Sequence, residues 1–171
     1  MSEDRTKRGI RDLVLSMAVV GIFVAFLFVV VWRPAPEPVK VVDPTLQLEA
    51  ARAQAAYDVL APVGLSGDWK STSARFEANE DGSTTWFLGY VTPDGRYVAL
   101  AQTDGPEAEF VQAQTLEGSP DGQRDIDGRV WRQYASGDQR SLVSTQDGTT
   151  TVVTGTVSYD ELAGFLGRLR S

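Results

Sequence analysis

Residues 84–103 read TTWFLGYVTPDGRYVALAQT, and this stretch decides the fold. β-Branched and aromatic side chains fill Thr84–Thr92 and Arg96–Thr103, the composition of two strands. Between them, Thr92-Pro93-Asp94-Gly95 has the chemistry of a tight turn: proline presets its own φ and Gly95 can take a positive one. In the first strand Trp86, Leu88 and Tyr90 alternate with Phe87, Gly89 and Val91, so both faces are apolar. Such a strand has helices over both sides, or one face that meets a partner.

The same reading extends outward in both directions. Ser71–Glu77 is a strand that precedes the hairpin. After it, Gly105-Pro106 opens a helix to about Leu116, with Glu107 and Glu109 near its positive end. Gly118–Gly128 reads as a loop. Arg129–Ala135, Ser141–Gln146 and Thr149–Val157 read as strands, the last two joined by the hairpin dipeptide Asp147-Gly148. A final helix starts at Ser158, where Ser158 and Glu161 have capping-box spacing, and Leu162, Phe165, Leu166 and Leu169 form its apolar stripe. Upstream, Asp43 and Pro44 suit the N-cap and first turn of a helix. Leu46, Ala50, Ala53, Tyr57 and Leu60 recur along it at helical spacing, and Pro62 and Gly64 end it. The expected domain, residues 43–171, is α+β: an antiparallel sheet of about six strands packed with three helices.

The N-terminal part has a different character. Residues 13–32 read LVLSMAVVGIFVAFLFVVVW, twenty residues without a charge. As a helix they would be about 30 Å long, the thickness of a bilayer's hydrocarbon core. The run is longer than the apolar part of a cleaved signal peptide, and no small-x-small site follows it, so a transmembrane signal anchor is expected. Residues 1–12 carry Arg5, Lys7, Arg8 and Arg11, which predicts a cytoplasmic basic tail and an extracytoplasmic C-terminal domain. Pro34, Pro36 and Pro38 make residues 33–42 a proline-rich spacer that reaches roughly 30 Å in polyproline II. Within the anchor, Met17, Gly21 and Ala25 lie four apart on a small-residue face that suits helix packing, although a lipid-facing anchor needs no such partner.

Composition removes whole classes of function. Residues 33–171 hold twelve basic and twenty acidic side chains, a balance that repels nucleic acid. The chain has neither cysteine nor histidine. Disulfides, thiol catalysis and Ser-His-Asp systems are therefore excluded, and the usual transition-metal ligands are missing. No cofactor is expected.

Several short stretches fit together. Arg11-Asp12 followed by Ser16-Met17 leads into the apolar run, Asp43-Pro44 opens the domain, residues 89–100 read GYVTPDGRYVAL, and Trp131 precedes the last helix. With these residues the chain resembles the actinobacterial single-pass membrane family called domain of unknown function 4245 along nearly its whole length; residues 89–100 are the most specific part. The resemblance implies an envelope protein of a high-GC Gram-positive lineage, with no established activity and no catalytic residues to carry over.

The candidate chemistry is thin. Asp125, Asp127 and Gly128 suggest a calcium loop, but Tyr134 stands where the bidentate glutamate belongs, so an acidic turn is the simpler reading. Glu77, Glu80, Asp81, Asp104, Glu107 and Glu109 could supply a carboxylate pair for glycan hydrolysis, though turns and caps account for such residues equally well. Ser66 and Lys70 are spaced by four rather than three and lie in a loop, which speaks against a Ser-Lys dyad. Trp69, Trp86, Tyr90, Tyr97, Trp131 and Tyr134 are the candidate binding surface if they line one exposed sheet face, and core if they do not. The expected role is non-enzymatic: a cell-membrane protein, anchored in the bilayer through residues 13–32, that binds an envelope component or serves a membrane complex. The alternative is a carboxylate-based enzyme acting on cell-wall glycan. A sensor ranks last, because twelve residues are too few for a folded output module.

Overall fold

The computed structural model describes Met17, Val20, Gly21 and residues 41–171. The predicted tail, the spacer up to residue 40, Ala25 and most of the apolar run lie outside these residues. Met17 and Gly21 are helical and exposed. Among the described residues, no helix is long and apolar enough to cross a membrane.

The elements run α1 (Thr45–Gln54), β1 (Ala61–Pro62), β2 (Lys70–Ala78), β3 (Thr84–Val91), β4 (Tyr97–Thr103), α2 (Glu107–Gln114), β5 (Ser119–Ile126), β6 (Arg129–Ser136), β7 (Gln139–Gln146), β8 (Thr149–Gly155), α3 (Tyr159–Leu166) and β9 (Leu169–Arg170). The described fold is α+β with three helices. Its main sheet has seven strands in the order β2-β3-β4-β8-β7-β6-β5, and β1 pairs with β9 in a separate ribbon. All neighbours are antiparallel.

The hairpin at residues 84–103 forms as expected, with Trp86 opposite Gln102 and Leu88 opposite Leu100. Its turn closes through the Gly95 N–H, which donates to the Thr92 carbonyl at 2.9 Å, while Gly95 adopts φ +82°. Asp147 and Gly148, at φ +50° and +79°, make the two-residue turn that β7 and β8 require. The capping box is present: Ser158 accepts from the Glu161 N–H at 3.3 Å, and Glu161 accepts from the Ser158 N–H at 2.9 Å.

Helices cover both faces of the sheet, which explains a strand apolar on both sides. On the first face Trp86, Leu88, Leu100, Leu142 and Val153 pack with Ala51 of α1 and with Leu162 and Phe165 of α3. On the second, Ala101, Val143 and Val152 pack beneath Val111 and Phe110 of α2.

Four expectations are corrected. The loop at Gly118–Gly128 is largely strand β5, so the main sheet has seven strands rather than six. Its residues are almost all exposed, because an edge strand needs only its backbone partner β6. Helix α1 stops at Gln54, where Ala55 turns to extended geometry (ψ 144°). The face it packs on the core is Leu48, Ala51 and Ala55; Leu46 is 77% exposed. Asp43 acts one residue outside the helix, where its carboxylate accepts from the Thr45 N–H at 3.0 Å. Leu169 is buried, but in β9 rather than on α3.

Candidate functional site

The six aromatic residues do not share a face. Trp86, Tyr90 and Trp131 are buried in the first core, and Trp69 packs against it. Trp69 stacks on Phe165 with centroids 5.9 Å apart and meets Tyr90 edge-on at 6.3 Å. Tyr134 packs on the opposite side of the sheet, against the second core. Tyr97 alternates with the inward Val98 and so also points to that side. On the first face Trp69 lines a hollow of about 240 Å³ beside Val98, Val157 and Phe165, and Trp131 lines another.

The hollow at Trp131 is one half of a composite groove. The segment after α1 runs extended along the sheet instead of continuing the helix, and the sheet holds it there. Gln102, only 2% exposed, accepts from the Leu60 N–H at 2.8 Å and donates to the Asp58 carbonyl at 3.2 Å. The Trp86 indole N–H donates to the Leu60 carbonyl at 3.0 Å, and the Tyr57 hydroxyl donates to the Gln102 carbonyl at 3.3 Å. Burial raises the Tyr57 pKa above its usual value, so this phenol remains a donor. Together these bonds fix one wall of the groove.

A polar basin of about 600 Å³ lies beside this segment, with Arg52, Tyr57, Asp58, Gln102, Arg129 and Asp147 among its lining. It adjoins a mainly apolar slot of about 270 Å³ lined by Leu60, Ile126, Trp131, Leu166 and Leu169 together with Asp127 and Arg129. Leu60 and Arg129 line both. The Arg129 guanidinium sits 5.8 Å from the Trp131 ring centroid, within cation–π range.

Arginine pairing is uneven across the domain. Residues 41–171 contain nine arginines. Arg75, Arg96, Arg124 and Arg132 are in ion pairs, and Arg140, Arg168 and Arg170 donate to backbone carbonyls. Among the described arginines, only Arg52 and Arg129 have side chains that donate no hydrogen bond and join no ion pair, and both line the basin. An acidic domain thus directs its two uncommitted guanidiniums at one cavity, with carboxylates of Asp58 and Asp147 on the same lining.

Several of the acidic candidates serve local structure. Asp81 accepts from the Ser83 N–H at 2.9 Å, Asp104 accepts from the Thr84 N–H at 2.7 Å, and Glu107 pairs with Arg132. Asp125 accepts from the Gly128 N–H at 2.9 Å and so closes the β5–β6 turn. No cluster of three metal-ligating side chains occurs among the described residues. Sequence reasoning missed Arg52, Tyr57, Gln102 and Arg129, because only the sheet topology brings them together.

Fold and site define an α+β domain with a grooved sheet face. The chain belongs to the family described as "Protein of unknown function (DUF4245)", whose model matches residues 5–169. Comparison with curated proteins finds no match. Among solved structures, MucB in complex with MucA(peri) is similar at 13% identity and a TM-score of 0.40, over 67% of this chain and 37% of that one.

Proposed function

We propose that this protein is a single-pass membrane protein whose extracytoplasmic domain binds an envelope component, or a subunit of a membrane complex, without catalysing a reaction. The uncharged run at residues 13–32 and the basic tail before it support the anchor and its direction. The observation that carries the binding role is the composite groove. Two guanidiniums that have no ion-pair partner among the described residues, a buried amide and an apolar slot form a surface that can grip a ligand at one end and shelter it at the other.

Mild crosslinking in native membranes followed by purification of the full chain tests this reading. A reproducible adduct is expected, and it should be lost in an Arg52→Ala, Arg129→Ala double variant. Repeated recovery of the protein alone would overturn it.

Asp58 and Asp147 on one lining favour a second reading, hydrolysis of cell-wall glycan by a carboxylate pair. Release of soluble fragments from cell-wall material, abolished by Asp147→Asn, would establish it in place of the first.

A further inference from the structure

The opposite side of the sheet carries a second surface, built around the end of α2. The helix closes with paired backbone bonds: the Leu116 N–H donates to the Ala113 carbonyl at 3.3 Å, and the Glu117 N–H donates to the Gln112 carbonyl at 2.9 Å. This ending demands a left-handed residue just past the cap, a place glycine usually takes. Here Leu116 takes it, at φ +53°, and Glu117 follows at φ +54°. The apolar contact that often accompanies such an ending is absent, since the positions that would make it are Gln112 and Glu117. Leu116 is instead 61% exposed. The chain thus holds a leucine in an unfavourable backbone conformation and gains little burial from it.

Two hollows of about 570 Å³ each flank this point and share Gln112 and Glu117. Ala108, Val111 and Tyr134 contribute to the first, and Ala113 and Leu116 to the second. Their charged residues are Glu107, Glu109, Glu117 and Arg132. Arg132 is neutralised by Glu107, whereas the carboxylates of Glu109 and Glu117 have no partner among the described residues. The surface therefore offers a projecting leucine and apolar hollows, edged by two free negative charges on an acidic domain.

We propose that this surface docks a protein segment in which apolar side chains stand next to lysine or arginine. Apolar groups of the segment fill the hollows on either side of Leu116, and its cations meet Glu109 and Glu117. The site lies across the sheet from the groove and is independent of what the groove binds.

Chemical-shift mapping on the isotope-labelled full chain in neutral detergent tests the proposal. The probes are two end-blocked hexapeptides, KLKFLK and its acidic counterpart ELEFLE. KLKFLK should move amide signals of residues 111–118 and Tyr134, with binding at least fivefold tighter than ELEFLE, and added salt should narrow that gap. Leu116→Gly should weaken KLKFLK about fivefold while signals on the other face stay in place. Glu109→Gln with Glu117→Gln should abolish the preference between the peptides. Equal binding of both peptides, shifts centred elsewhere, or an unchanged affinity in Leu116→Gly would overturn the proposal. Concentration-dependent shifts of the same residues without peptide would overturn it in favour of a second copy of the chain.

Discussion

Arg96 and Glu161 form a two-pronged ion pair across 65 residues of sequence, tying the β3–β4 turn to the first turn of α3. Glu161 also completes the capping box with Ser158, and Arg96 also holds Asp94. A single carboxylate therefore serves helix initiation and tertiary closure together. Arg96, then Ser158, hold its pKa down to about 2 from an ordinary 4.5. The folded state thus binds fewer protons than the unfolded one in this range. The stabilisation is complete above about pH 4.5 and is lost as pH falls from there towards 2. Thermal midpoints measured across this window should fall less steeply in Glu161→Gln than in the parent, since glutamine still caps but cannot ionise. Identical slopes would remove the pair from the acid response.

Gln102 and Trp86 should behave as a coupled unit. Gln102→Leu leaves the half-buried Leu60 N–H without its partner and should cost about 1–2 kcal/mol. Trp86→Phe loses the bond to the Leu60 carbonyl and some volume, about 2 kcal/mol. Both act on the same extended segment, so the double variant should lose less than the sum in denaturant titration.

Two strand glycines predict opposite tolerance. A methyl at Gly155 would lie 2.3 Å from the Tyr97 carbonyl oxygen, a backbone atom that cannot swing away. Gly155→Ala should cost about 3 kcal/mol by thermal unfolding. At Gly89 the nearest atoms are the side-chain oxygens of Ser73 and Tyr97, at 2.5 and 2.9 Å; the first can rotate away about χ1 and the second can yield by a small tilt of its ring. Gly89→Ala should cost about 1 kcal/mol.

Leu116→Gly should raise stability by about 1 kcal/mol, because glycine accepts the left-handed conformation without a Cβ clash. Leu116→Ala keeps the Cβ and should leave stability close to the parent. Chemical denaturation of the three proteins separates these outcomes.

What the sequence made legible was local chemistry. The Thr92–Gly95 and Asp147-Gly148 turns and the Ser158 capping box depend on neighbours within four residues, and all three form. Strand β5 was hidden because Ser119, Pro120, Asp121 and Gly122 are turn formers, and what makes them strand is the pairing offered by β6. The early end of α1 was hidden for a similar reason: residues 55–60 leave the helix where Gln102 and Trp86, more than 25 residues away in sequence, supply better partners. The groove left no signature at all. Its lining runs from Arg52 to Thr151 and beyond, and Arg129 looked like an ordinary strand opening.

The β4–β8 pairing has a kinetic consequence. Strands β2 to β4 form one meander and β5 to β8 another, each closed by short turns, and the two meet only where residues 98–103 lie beside residues 150–155. The pairs across that seam are roughly fifty residues apart in sequence, farther than any within a meander, so the meanders should assemble early and their joining should set the folding rate. A lesion at Gly155 would then slow folding, whereas one in the β7–β8 turn would mainly hasten unfolding.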